Sequence, residues 1–329
     1  LPLQAGYTSA SVSAMPDQKN FTQNGGVHIR HYLDHVAMMQ PGGQKRSRSH
    51  KLTVPGVLAS LSTIRLADLS KARIEEWAKV ESVKRATQAR LALRLLRACL
   101  FWCNRHSFYS EIVTSNAAQN RSIKETLGKP RTRNDVLQRE QLPAWFEAIR
   151  QIQNPVISAY LQALLLTGAR REEIANLCWE DIDFTWKSLT IRDKVEGQRT
   201  IPLTPYVAHL LVNLPHRNQW VFSSPAAASG RLTEPSKQHG KACSIIGIDL
   251  SLHGLRRSFA TLSEWVEMPE GIAAQIQGYK PQGVRGKHYI RRPLDLLRRW
   301  HIKIETWILE EAGIVFEQTE SQQSLRIVK

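Results

Sequence analysis

The sequence predicts a mainly α-helical protein with one small β-sheet, an α+β fold in two domains. Three observations predict it. Apolar residues recur at helical spacing through most of the chain, strand patterning is confined to residues 189–203, and a polar, aperiodic stretch divides the chain at 116–136. The length of 329 residues agrees, at roughly 150 residues per domain. Hydrophobic residues make up 42% of the chain, enough for packed cores and against global disorder.

Taken in order, residues 1–48 read as an N-terminal leader. Residues 1–26 lack periodicity, with Met15 a candidate start; 27–39 form a short helix; 40–48 (QPGGQKRSR) form a turn and a basic loop. Residues 49–115 form a helical domain. Apolar side chains at 52–61 and 64–69 fall near helical spacing, Ser70 is an N-cap for a helix through Arg73–Trp77, and 84–106 is the clearest helix. Its expected apolar stripe is Leu91, Leu95, Ala98 and Trp102. Cys99 and Cys103 share this helix with His106 just beyond; a metal site lacks a fourth ligand, and buried thiols fit better. Residues 116–136 read as the linker. The second domain, 137–312, holds helices at 138–150 and 155–167, two short strands at 189–192 and 200–203, a helix from Thr204 and a loop at 223–235. Helices at 255–266, 272–277 and 294–311 complete it, and 313–329 is a C-terminal tail.

Charge narrows the function. The chain has 45 Lys+Arg against 29 Asp+Glu, a net +16. Residues 45–133 alone carry 19 cations and 6 acids, a net +13. Nucleic acid is the first partner such a surface fits, with Lys45, Arg46, Arg48, Arg90, Arg94, Arg97, Arg131 and Arg133 as candidate phosphate contacts. An anionic membrane surface is the weaker reading, resting on charge alone. No run of about 18 apolar residues marks a span, and Leu1–Asn20 lack the pattern of a secretory leader. Four cysteines make no disulfide scaffold, and the cytoplasm is the simplest compartment. There is no Walker loop and no carboxylate cluster of the two-metal type, so neither a metal nor a cofactor is expected.

Four separated pieces in the second domain carry chemistry. Thr167-Gly168-Ala169-Arg170 breaks one helix and opens another, presenting amides and an Arg toward an anion; taken alone, it reads as an ordinary helix–helix turn. Lys194, in the hairpin IRDKVEGQRTIPL, is either surface charge or a mobile proton donor. His253 and Arg256 share a helical face, a pairing that suits two oxygens of one phosphate or an ordinary ion pair. Tyr289, in KHYIRRP, sits among Lys287, Arg291 and Arg292, which would favour its ionised hydroxyl; the alternative is a packing aromatic.

In this order, TGxRxxE, the hairpin Lys, HxxR and a late Tyr resemble the tyrosine recombinase (phage integrase) family. The resemblance spans roughly residues 52–312. Segment 157–182 is similar to the family's first Arg box and 252–262 to its second. His253 and Tyr279 stand 26 residues apart, and Tyr289 follows 10 later. The resemblance implies a core-binding domain, a catalytic domain and a site-specific recombinase that cleaves and rejoins DNA through a 3′-phosphotyrosyl bond, integrating or excising a mobile element. It implies that Arg170 and Arg256 bind the non-bridging phosphate oxygens and that Glu173 supports the first Arg box. Lys194 protonates the leaving 5′ oxygen, His253 assists proton transfer and Tyr289 attacks. Tyr279 departs from the pattern, standing where the family has His or Trp; its hydroxyl can still donate. The implied partners are double-stranded DNA at attachment sites, a homotetramer on that DNA, and a directionality factor or host DNA-bending protein. The tail, Ile314–Val328, would pack on a neighbouring protomer. An integrase-derived architectural protein with impaired catalysis and a type IB topoisomerase are the competing readings.

Overall fold

The computed structural model describes residues 27–46, 49–130, 132–193, 197–279 and 292–317, and its first helix, α1 (Val27–Met39), spans the residues expected of it. The fold is mostly helical with one three-stranded sheet. The chain divides into two units, Leu1–Thr132 and Arg133–Lys329.

In the first unit, residues 52–69 form no full helix, contrary to their apolar spacing. Only 3₁₀ turns occur, at Ala59–Leu61 and Leu66–Asp68. Pro55 disfavours helix at Val54, and the segment is instead pinned from outside. Trp77 Nε1 donates to the Val57 carbonyl at 2.7 Å, and Arg85 Nη1 to that of Pro55 at 2.6 Å. The apolar side chains are buried all the same, Val57, Leu58, Leu61, Leu66 and Leu69 among them.

Ser70 caps α2 (Lys71–Arg105), its Oγ accepting from the Arg73 amide at 3.4 Å. The two helical stretches read from the sequence are one element with a kink at Arg85 (φ −159°, ψ 56°). The buried stripe is only in part the expected one. Leu95 is buried as expected, but Leu91 and Trp102 are half-buried and Ala98 is exposed, and it is Ala89, Ala92, Leu93, Leu96, Leu100 and Cys103 that join the core. Both stripes have helical spacing, and it is the one holding Leu96 and Leu100 that shares a core with α3. That helix, Arg121–Leu127, falls inside the stretch read as aperiodic linker. Asn120 caps it, Gly128 ends it, and its buried Ile123 and Leu127 join the core. Two apolar residues in seven are too few to show a period.

The second unit is built around α5 (Pro155–Thr167), in which every residue from Val156 to Thr167 is buried. A helix apolar on all sides is a core helix. It is preceded by α4 (Leu142–Arg150) and followed by the short α6 (Arg171–Ala175). Then come β1 (Ile182–Asp183), β2 (Ser188–Asp193) and β3 (Gly197–Pro202), antiparallel in that order. The β2–β3 register runs from Ser188↔Pro202 to Asp193↔Gly197, so these strands reach further toward the turn than their apolar residues indicated. The remaining helices are α7 (Pro205–Val212), α8 (Ser236–Ile245), α9 (Leu252–Ser263), α10 (Glu270–Gln277) and α11 (Leu294–Glu311). Apolar spacing indicates no helix at α8, which buries only His239, Ala242 and Cys243. No described helix is long and apolar enough to cross a membrane.

The start of the tail also differs from expectation. Ile314 and Phe316 pack on the core of their own unit, with the Phe316 ring edge-on to Tyr206 at 5.2 Å. Residues 318–329 lie outside the described residues.

Candidate active site

Three turns of chain converge beside α5. The first follows α5 itself. Gly168 takes a left-handed conformation (φ 58°), and a Cβ there would stand 2.6 Å from the Phe259 ring. Only glycine makes this turn with α9 so close. The turn delivers Arg170 to the start of α6 in extended backbone. Its amide donates to Glu173 Oε2 at 2.8 Å and its Nη1 to Glu173 Oε1 at 2.7 Å. Its Nη2 reaches the Gly278 carbonyl at 3.4 Å.

The second piece is α9. Ser251 caps it, accepting from the Gly254 amide at 3.0 Å, and is held by Asp135, whose Oδ2 accepts from the Ser251 amide at 2.8 Å. Asp135 also pairs with Arg257. His253 is exposed in the first turn. Partial desolvation of its ring against α9, then the charges of Arg257 and Arg256, lower its pKa and favour neutral imidazole. Arg256 is only 3% exposed. Its Nη1 donates to the Gly168 and Gln277 carbonyls, both at 2.7 Å, and Gln277 Nε2 returns a bond to the Arg256 carbonyl at 2.8 Å. Arg256 Nη2 is buried with no hydrogen-bond partner among the described residues.

The third piece is the turn after α10. Tyr279 is half exposed, and its ring lies 4.5 Å from Arg256 Cζ in a cation–π contact. The ring face thus serves this corner.

One further residue belongs here that the motifs did not single out. Arg199 on β3 donates from Nη1 and Nη2 to the two Glu173 oxygens at 3.1 and 2.7 Å. Burial works against a charged Glu173, but the bonds from Arg199 and the Arg170 amide override it and hold its pKa down at about 2. A signal existed. Arg199 lies two residues from Ile201, on the strand face that Ile201 buries.

The structure therefore brings together Arg170, Glu173, Arg256 and Tyr279, with His253 on the same helix as Arg256. Lys194 and Tyr289 lie outside the described residues, as do Arg48 and Arg131. Of the other candidate phosphate contacts, Lys45, Arg46, Arg94 and Arg133 are exposed, and Arg97 is half-buried. Arg90 is engaged within its own unit, donating to the Leu127 carbonyl at 2.8 Å and Thr87 Oγ1 at 3.0 Å.

Comparison with known proteins gives consistent results. Residues 18–125 match the model of the phage integrase core-binding domain, and residues 135–283 that of the phage integrase family. The chain is 48% identical to prophage integrase IntF of Escherichia coli (strain K12) over 297 residues, covering 88% of this chain and 64% of that relative. It thus spans just under two thirds of that relative's length. Its fold is similar to a lambda integrase dimer bound to a COC′ core site (TM-score 0.59, 15% identity, 89% of this chain and 98% of that one). It is also similar to a lambda integrase tetramer bound to a Holliday junction (TM-score 0.57, 14% identity, 89% and 79%).

Proposed function

The chain belongs to the phage integrase family, and from that premise we propose that it is a site-specific DNA recombinase that integrates or excises a mobile element. The observation that carries this reading is Arg256. A buried guanidinium with one nitrogen committed to two carbonyls and the other without an acceptor is completed by an anionic oxygen, and Arg170 stands beside the same Gln277–Gly278 turn. Two guanidiniums neutralise a phosphodiester and stabilise the added charge of its pentavalent transition state.

On this reading, Tyr289 Oη attacks the scissile phosphorus. The bond to the 5′ oxygen breaks as the Tyr–phosphorus bond forms, and Lys194 gives the departing oxygen its proton. His253, favoured neutral, assists transfer of the Tyr289 proton and orients the phosphate. Glu173 holds Arg170. The 3′-phosphotyrosyl bond stores the energy of the broken one, so the reverse attack by a 5′ hydroxyl rejoins strands without ATP. Lys45, Arg46, Arg48, Arg90, Arg94, Arg97 and Arg131 supply phosphate contacts from the first unit, and Arg133 from the start of the second. The partners are duplex DNA at paired sites, a tetramer of this chain on that DNA, and a directionality factor or DNA-bending protein. The protein acts in the cytoplasm, on the nucleoid.

The test is a nicked suicide duplex carrying the DNA that flanks the chain's own gene. The full chain is expected to form a covalent protein–DNA adduct on it and to recombine paired sites. Binding with no adduct would leave an architectural protein, and relaxation of supercoiled DNA without paired sites would point to a topoisomerase.

A further inference from the structure

We propose that Arg199 is a positioning residue that keeps the Arg170 charge directed at the scissile phosphate and ties three parts of the site together. The proposal rests on the recombinase reading above.

The first argument is charge. Glu173 is 6% exposed and ionised at any working pH, since its pKa is held at about 2. Paired with Arg170 alone, it would neutralise the guanidinium that the phosphate needs. Arg199 supplies a second guanidinium, 17% exposed at its side chain, bonded to both Glu173 oxygens. The trio of Arg170, Glu173 and Arg199 is net positive by one, so the carboxylate orients Arg170 without cancelling its field. Such pairing is strong in a partly dry site, where charges are poorly screened.

The second argument is connection. Arg199 stands on β3, five residues after Lys194 in the sequence. Besides Glu173 it reaches the Ile276 carbonyl through Nε at 3.3 Å. It also packs under Gly278, where a Cβ would stand 2.6 Å from the guanidinium and where φ is +76°. One side chain thus fastens β3 to the Arg170 loop and to the turn that presents Tyr279. A planar fork with donors on three nitrogens does this; an ammonium does not.

The experiment uses the full chain and the nicked duplex above, comparing Arg199→Met, Arg199→Lys, Glu173→Gln and the double variant Arg199→Met/Glu173→Gln. Arg199→Met is expected to slow adduct formation about 10²–10³-fold at saturating DNA, the range for loss of a preorganised charge, with DNA affinity changed less than about threefold. Glu173→Gln in that background removes the uncompensated carboxylate. The double variant is therefore expected to be faster than Arg199→Met, a non-additivity that a purely structural role would not produce. Arg199→Lys should fall between wild type and Arg199→Met. If Arg199→Met loses its cooperative melting transition, Arg199→Lys with and without Glu173→Gln carries the same comparison. Losses that simply add, or Arg199→Met at wild-type rate, would overturn the proposal while leaving the recombinase reading intact. No adduct from the unaltered chain would overturn both.

Discussion

Arg256 Nη1 donates to the carbonyl of Gly168 at 2.7 Å, which fastens the second Arg of the site to the loop that carries the first. The two cations come from places far apart in sequence, α9 and the turn after α5. Their spacing is nevertheless fixed by this bond, by the Gln277 carbonyl and by the fit of Gly168 against Phe259. A clamp held in this way needs little reorganisation when charge develops on a bound phosphate.

Arg256→Ala should therefore fail twice. Cleavage should drop by about 10²–10³-fold or more for the lost charge. The Gly168 and Gln277 carbonyls would each lose a donor inside the fold, at roughly 1–3 kcal/mol per unsatisfied group. Adduct kinetics and denaturant melts on the same preparation separate the two effects. A variant that cleaves at the wild-type rate would remove Arg256 from the clamp.

Tyr289→Phe deletes one hydroxyl and no charge. Adduct formation should vanish while DNA affinity stays within about twofold, since binding rests on Lys and Arg contacts to phosphates. Persistence of the adduct would assign the nucleophile to another Tyr. The half-exposed Tyr279 is the next to test.

Much of this site was legible because its residues are local motifs. TGARREE and HGLR carry their spacing on the surface of the sequence, and the structure brings their Arg170, Glu173 and Arg256 together. Arg199 was legible only as an inward-facing strand position two residues from Ile201; its contact with Glu173, twenty-six residues away, is encoded by no local pattern. The same logic sorts the fold. Helices α1, α5 and α11 were read to their ends, where Asn154 and Gly168 punctuate α5. Helix α3 was missed because two buried residues in seven show no period, and α8 because its exposed face is nearly all polar. The stripe on α2 was misassigned for the opposite reason. That helix has apolar residues on more than one face, and only its neighbours decide which is buried.

DNA binding should be strongly salt-dependent. With about 6–10 phosphate contacts, affinity should fall roughly 10³–10⁵-fold between about 50 and 200 mM salt. The exposed cations and the engaged one should behave differently. Arg94→Ala should lower the salt slope by about one and leave the melting temperature unchanged. Arg90→Ala should lower the melting temperature as well, because its Nη1 holds the Leu127 carbonyl at the end of α3. Equal melting curves for the two variants, or a flat salt response, would count against this division of labour.

The last expectation concerns Glu305 on α11. It is 2% exposed, and it caps the N-terminus of α7 from another helix, accepting from Thr204 Oγ1, the Tyr206 amide at 2.8 Å and the Val207 amide at 3.2 Å. Burial pushes its pKa up to about 7 from a normal 4.5, the three bonds only partly opposing the shift. The folded protein thus binds this proton more tightly than the unfolded chain does. Its contribution to stability is complete below pH 4.5, declines as pH rises toward 7, and is level above that. Glu173 acts in a separate window, because its depressed pKa of about 2 removes stability only as pH falls below 4.5. Subtracting the melting temperatures of Glu305→Gln from those of wild type should therefore give a curve that slopes downward between pH 4.5 and 7. The amide keeps the cap's shape and one acceptor oxygen but has no proton to lose. A difference curve that is flat across that interval would mean Glu305 is already ionised in the fold, held by the α7 amides more strongly than burial disfavours its charge.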